Sequence, residues 1–116
     1  MSKIKVIIKE PFKDPRIEEI EYNNATMQDI VKGSLYFLPF PTLTEVDMVV
    51  NDDAEMENQD HNVRMPHEND IAYGTIVACS FGTNNKAQTL SDEQINKIMK
   101  YLKENSIELK QQAEAT

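Results

Sequence analysis

Residues that could do chemistry are concentrated in one stretch, Asn51–Asp70, which reads NDDAEMENQDHNVRMPHEND. The stretch contains both histidines of the chain, one of its two arginines and seven carboxylates. Seven acids and one arginine give −6, which is most of the formal net charge of −8. Imidazole and carboxylate groups bind metal ions and transfer protons, so a metal site and a catalytic carboxylate pair are the first possibilities to test.

The spacing of these residues does not predict a metal site. His61 and His67 are separated by five residues, and no third ligand stands at a fixed distance from them. A calcium loop that began at Asp53 would need glycine at its sixth position and glutamate at its twelfth, where Asn58 and Arg64 stand. We therefore expect a solvated loop here, with no metal ion and no cofactor.

Catalytic chemistry is weakly supported as well. Carboxylates in a polar loop lack the burial that would separate their pKa values for acid and base roles. Neither a G-x-S-x-G motif nor a glycine-rich phosphate loop occurs in the chain. Cys79 lies in an apolar run and is expected to be a buried, unreactive thiol. The sequence predicts a protein that is not an enzyme.

Length and composition limit the partners. A chain of 116 residues with 40% apolar residues predicts one domain, residues 1–109, followed by a frayed polar tail, residues 110–116. The acidic balance argues against direct nucleic-acid binding and against adsorption to anionic membranes. A single cysteine and the lack of an apolar run long enough to span a bilayer predict a cytoplasmic location.

Two functional hypotheses follow, beside a third interpretation in which the acidic charge serves solubility alone. In the first, a partner protein with a basic surface binds the acidic side chains, which could imitate the charge of nucleic acid; these are Asp52, Asp53, Glu55, Glu57 and Asp60. In the second, the chain sequesters a small ligand such as a nucleotide signal, and a homo-oligomer interface could complete the site. The contacts would then come from Asn62, Arg64, Phe81, Asn84 and Asn85.

Several of these residues also have structural interpretations. Arg64 is the arginine within the acidic stretch, and it could form an internal ion pair instead of binding an anion. Phe81 could be a core residue instead of a stacking platform. The aromatic residues Tyr36, Phe37 and Phe40 could form the core or an exposed patch for a partner.

Hydrophobic periodicity predicts the elements around the acidic stretch. The spacing favours a half-buried first strand with Lys9 on its polar face, a first helix closed by a left-handed Gly33, and a bulge or close backbone approach at Gly74. Ser91 and Gln94 match a capping box for the last helix. The predicted elements are strands at Lys3–Lys9, Arg16–Tyr22, Ser34–Phe40, Glu45–Val50 and Ile71–Phe81, and helices at Asn23–Gly33 and from Ser91.

The order of these elements is β-β-α-β-β-loop-β-α. Adjacent strands with few helices between them are typical of α+β folds. We therefore predict a mainly antiparallel sheet of about five strands, with a short helix and a longer C-terminal helix on one face.

Five segments together resemble a known protein family. They are IKVIIKEP near the start, TMQDIVKGSLYFL, VVNDDAEM, the pair formed by Asn62–Arg64 and GTIV, and TLSDEQI before the last helix. In this order they resemble the family named domain of unknown function 3846, small proteins of phages, plasmids and integrative elements. The resemblance implies a mobile-element accessory protein that counters host defence or redirects a host process. The chain departs from the family at Asn51–Ala54, where the family's turn has a glycine.

Overall fold

The computed structural model describes residues 3–65, 71–82 and 86–107. The predicted tail, residues 110–116, lies outside these ranges. In chain order the described elements are β1 (Ile4–Lys9), β2 (Arg16–Ile20), α1 (Asn24–Val31), β3 (Leu35–Pro39), β4 (Val46–Asn51), β5 (His61–Arg64), β6 (Ile71–Tyr73), β7 (Ile76–Phe81), β8 (Ala87–Gln88) and α2 (Asp92–Glu104).

The strands form one large antiparallel sheet and one small one. The large sheet has the order β2-β1-β7-β4-β3, and the short strand β8 also pairs with β7. β5 and β6 form a separate antiparallel pair. The predicted α+β fold with a mainly antiparallel sheet is confirmed. Neither described helix is long and apolar enough to cross a bilayer.

The two helices cover opposite faces of the large sheet, so the prediction that both lie on one face is wrong. On one face, Ile76 and Ala78 of β7 belong to the same core cluster as Ile98 and Leu102 of α2. On the other face, Val77 and Cys79 share a cluster with Met27 of α1. Since the central strands carry apolar side chains in both directions, each face needs its own cover.

The predicted starts of both helices agree with the structure, and the predicted end of α1 does not. The side chain of Asn23 accepts a hydrogen bond from the Thr26 amide and opens α1. The left-handed residue at its other end is Lys32 (φ 67°), not Gly33 as predicted. The capping box that opens α2 is confirmed, because Ser91 and Gln94 bond each other's backbone amides.

The stretch Asn51–Asp70 is not a solvated loop throughout. Strand β5 lies within it, and Asn62 and Val63 of β5 have no solvent exposure. The predicted single strand at Ile71–Phe81 is divided into β6 and β7 by Gly74, whose φ of 75° favours glycine and whose Cβ, if present, would clash with the side chain of Gln59. The β5–β6 pair also encloses the end of β1, so Lys9 is fully buried and not on a solvated face.

Candidate functional site

The residues that follow β4 form a compact turn, residues 52–60, which we call the acidic turn. Its backbone closes on itself, since the Glu57 amide donates to the Asp53 carbonyl and the Gln59 amide to the Ala54 carbonyl, both at 2.9 Å. Ala54 is 4% exposed and anchors the turn to the domain by its methyl group. The acidic side chains are therefore carried by a turn with a defined conformation.

Asn51, which is buried, joins the acidic turn to the end of α1. Its Nδ2 donates to the Lys32 carbonyl at 3.0 Å and to Glu57 Oε1 at 3.2 Å, and its Oδ1 accepts from the Asp53 amide at 2.7 Å. A Cβ on Gly33 would lie 2.5 Å from this Nδ2, so glycine is needed there for close approach. The sequence-based prediction did not identify Asn51 as the anchor, although an asparagine followed by acids is a common turn opener.

All five carboxylates proposed for partner binding project into solvent. In the described part of the chain, none of them forms an ion pair. Met56 stands among them and is 83% exposed, more than any other large apolar side chain in residues 3–65, 71–82 and 86–107. A single exposed apolar side chain is common on a protein surface, but this one lies within the acidic turn, next to Glu55 and Glu57. The sequence-based prediction missed Met56, because no period marks it.

Shallow clefts lie on two sides of the acidic turn. One, of about 230 Å³, is lined by Asp52 and Glu55 together with the rings of Tyr36 and Tyr73. The other, of about 240 Å³, is lined by Asp60, Lys32 and Thr75 among others. The carboxylates of the turn are thus accessible beside aromatic surface on one side and a lysine on the other.

Asn62 lies at the centre of a buried hydrogen-bond network. Its Nδ2 donates to the carbonyls of Lys9 and Gly74, and its Oδ1 accepts from Lys9 Nζ, each at 2.7 Å. Lys9 Nζ also donates to the Glu10 carbonyl at 2.9 Å. Asn62 therefore fastens the β5–β6 pair to the end of β1, and its polar atoms are already satisfied.

The structure does not bring the proposed ligand-binding residues together. Arg64 is exposed near α2, and within the described residues it forms no ion pair. Phe81 packs on the α1 face, with its ring 5.7 Å from Tyr22 and 5.8 Å from Phe37. The sheet thus separates Phe81 from Arg64 and Asn62. Asn84 and Asn85 lie outside the described residues.

The other candidates for chemistry occupy structural positions. His61 packs edge-on against Phe12 with ring centres 5.9 Å apart, and His67 lies outside the described residues. Across residues 3–65, 71–82 and 86–107, no three His, Cys, Asp or Glu side chains converge as metal ligands. Burial, and to a lesser extent the Asp47 carboxylate, raises the pKa of the Cys79 thiol to about 12. Such a thiol is a poor nucleophile.

Comparison with known proteins identifies a family for this chain. No curated protein and no solved structure matches the chain. The family described as domain of unknown function DUF3846 matches residues 4–103, from β1 to the last turn of α2. This range contains the acidic turn and both clusters of the core. The chain therefore belongs to the DUF3846 family.

Proposed function

We propose that this protein is a non-enzymatic accessory protein of a phage or other mobile element, and that it inhibits a host protein by binding a basic surface through the acidic turn. One observation carries the proposal: the nine residues of the hydrogen-bonded acidic turn include five exposed carboxylates, and none of these forms an ion pair with another described residue. The mobile-element part depends on the resemblance to DUF3846 proteins alone, and the counter-defence role follows from that context.

The charge arrangement suits fast and selective association. Complementary charge on a partner raises the association rate and rejects acidic competitors. Closely spaced carboxylates could also occupy a surface that normally binds nucleic-acid phosphates. Charge alone gives little affinity at physiological salt, where the screening length is about 8 Å. Met56 supplies an apolar contact that would persist when the charges are screened.

The test compares the wild-type chain with a variant in which four acids of the turn are neutralised, namely Asp52→Asn, Asp53→Asn, Glu55→Gln and Glu57→Gln. Each protein is immobilised and exposed to host lysate at low and at high salt. We expect the wild type to retain a basic protein at low salt and to lose it as salt rises, whereas the variant should bind it weakly at both. If the acidic turn occupies the nucleic-acid site of the partner, duplex DNA should compete for that site and release the partner from the immobilised wild-type chain.

The matched control removes the same number of charges elsewhere on the surface, with Glu19→Gln, Asp29→Asn, Glu45→Gln and Glu104→Gln. These four acids are exposed and form no ion pair in the described part of the chain. The control should bind the partner as the wild type does. Equal loss of binding in both variants would assign the effect to net charge, and unchanged binding in both would refute the proposal.

Met56→Ser separates the apolar contribution from the charge. The side chain is 83% exposed, so its replacement should leave the folded domain intact. We expect weaker binding of the same partner with an unchanged salt dependence, since the carboxylates remain. Binding equal to that of the wild type at every salt concentration would show that Met56 takes no part in the interface.

A further inference from the structure

The two edges of the large sheet differ in their protection against pairing. The edge strand β2 has the sequence RIEEI, and its Arg16 forms ion pairs with Glu10 and Glu18. The opposite edge strand, β3, has the sequence LYFLP and no charged residue. Charged side chains on an edge oppose the addition of another strand, whereas a flat uncharged edge permits it.

Two hydrogen bonds fix which backbone groups of β3 remain at the edge. The Phe40 amide donates to the Val46 carbonyl at 2.9 Å, and the Asp52 amide donates to the Ser34 carbonyl at 2.8 Å. Both pairs follow the register that aligns Leu35 with Asn51. Because hydrogen-bonded pairs alternate along an antiparallel ladder, the even-numbered residues from 34 to 40 direct their backbone groups towards β4.

The odd-numbered residues of β3 therefore direct their backbone groups away from the sheet. Leu35 and Phe37 each present an amide and a carbonyl, and Pro39 presents a carbonyl only. Proline is tolerated at such a position, because its missing N–H would point away from β4, the neighbouring strand. Among the described residues, β4 is the one strand that pairs with β3.

Large side chains are exposed beside this free edge on both faces. Tyr36 is 51% exposed and Phe37 is 41% exposed, and they point to opposite faces because they are neighbours in a strand. Phe40, by contrast, is buried against Tyr101 in the core of the α2 face. Of the three aromatic residues Tyr36, Phe37 and Phe40, the first two thus belong to an exposed surface and the third to the core.

We propose that β3 pairs antiparallel with β3 of a second copy of this chain, about a two-fold axis at Phe37. In this register the two Phe37 residues exchange both of their backbone hydrogen bonds. The Leu35 amide of each copy donates to the Pro39 carbonyl of the other, so proline acts only as an acceptor. Tyr36 of each copy lies opposite Leu38 of the other, and the exposed rings are covered on both faces.

Charge selects a second copy over a basic partner at this edge. The strand β3 has no carboxylate to attract a basic chain, and an equally uncharged strand loses no solvated charge when it pairs. The acidic turn begins at the Ser34 end of β3. In an antiparallel dimer the two acidic turns are separated by about the length of the strand, roughly 17 Å. This distance exceeds the screening length of about 8 Å, so the acidic turns repel each other weakly.

Sedimentation of the full chain at increasing concentration tests the proposal. We expect the mass to rise from 13.3 kDa towards twice that value in the wild type. Phe37→Lys should remain monomeric, because it places two like charges across the axis. The control Ile17→Lys alters an exposed residue of the protected edge (48% exposed) and should dimerise as the wild type does. Circular dichroism checks that both variants are folded.

Oxidative cross-linking tests the register. Opposed residues of a hydrogen-bonded antiparallel pair have Cα atoms about 5.5 Å apart, which a disulfide can span. Phe37→Cys should therefore give a covalent dimer, and Ile17→Cys should not. The buried native Cys79 does not compete. A wild-type chain that stays monomeric up to hundreds of micromolar, or a dimer that survives Phe37→Lys, would overturn the proposal, as would equal cross-linking at position 17.

Discussion

Replacing Asn62 with alanine should lower the free energy of unfolding by about 3 kcal/mol. The side chain has no solvent exposure and makes three hydrogen bonds of 2.7 Å, two to backbone carbonyls and one from Lys9 Nζ. A buried hydrogen bond contributes about 1 kcal/mol on average, and alanine replaces none of the three. The loss is a large fraction of the roughly 5–15 kcal/mol that stabilises a domain.

Urea titration followed by circular dichroism measures this change, and a thermal scan should show a melting point lower by about 12 °C. The control is Asn96→Ala on the exposed side of α2, which should stay within about 0.5 kcal/mol of the wild type. A double-mutant cycle with Lys9→Met sharpens the test, because either substitution removes the same Lys9–Asn62 bond. The double mutant should therefore lose less stability than the sum of the losses in the two single mutants. A loss below about 1 kcal/mol for Asn62→Ala, or full additivity, would refute this account of the network.

Three further predictions concern the rest of the fold. Iodoacetamide at pH 8 should leave Cys79 unmodified in the native protein and modify it in urea, because burial raises its pKa to about 12; rapid native labelling would contradict this. Gly74→Ala should lower stability by about 1–2 kcal/mol in a urea titration, because its φ is 75°, and a neutral effect would show that the backbone rearranges. Hydrogen bonding from Arg16 lowers the pKa of Glu10, so this carboxylate contributes stability above its unfolded pKa of about 4.3 and loses it as the pH falls through the lower, folded value. Arg16→Ala should therefore raise the pKa of Glu10 in an NMR titration and cost stability near pH 7 but not below both pKa values.

Local patterns predicted most elements because their signals lie within a few residues. The alternation in β1, the apolar spacing in α1 and the Ser91–Gln94 capping box of α2 each depend on neighbours in the sequence. The fold class followed from the order of these elements. Glycine at position 74 also predicted a local irregularity, although the structure shows a break between two strands instead of a bulge within one.

The features that could not be predicted depend on distant residues. Lys9 has the alternating position of a surface lysine, and its burial involves a contact with Asn62, more than fifty residues away. Strand β5 has two buried residues among charged neighbours, so its composition resembles a loop. The acidic residues were identified as a possible partner-binding surface, but Asn51 and Met56 became apparent only when the turn could be seen in three dimensions.

The pairing of β1 with β7 has a consequence for the order of folding during synthesis. Ile7 lies opposite Ala78, so the first strand gains its central neighbour only after about seventy further residues have been made. Until β7 leaves the ribosome, the β1–β2 and β3–β4 hairpins have no strand to join them, and each exposes an open edge and apolar faces. The pairing of β1 with β7 also slows folding, because two segments that are far apart in the sequence must meet. The nascent chain therefore passes through a period in which chaperone binding or misassociation competes with completion of the sheet. This period ends only when residues 76–81 insert between the two hairpins.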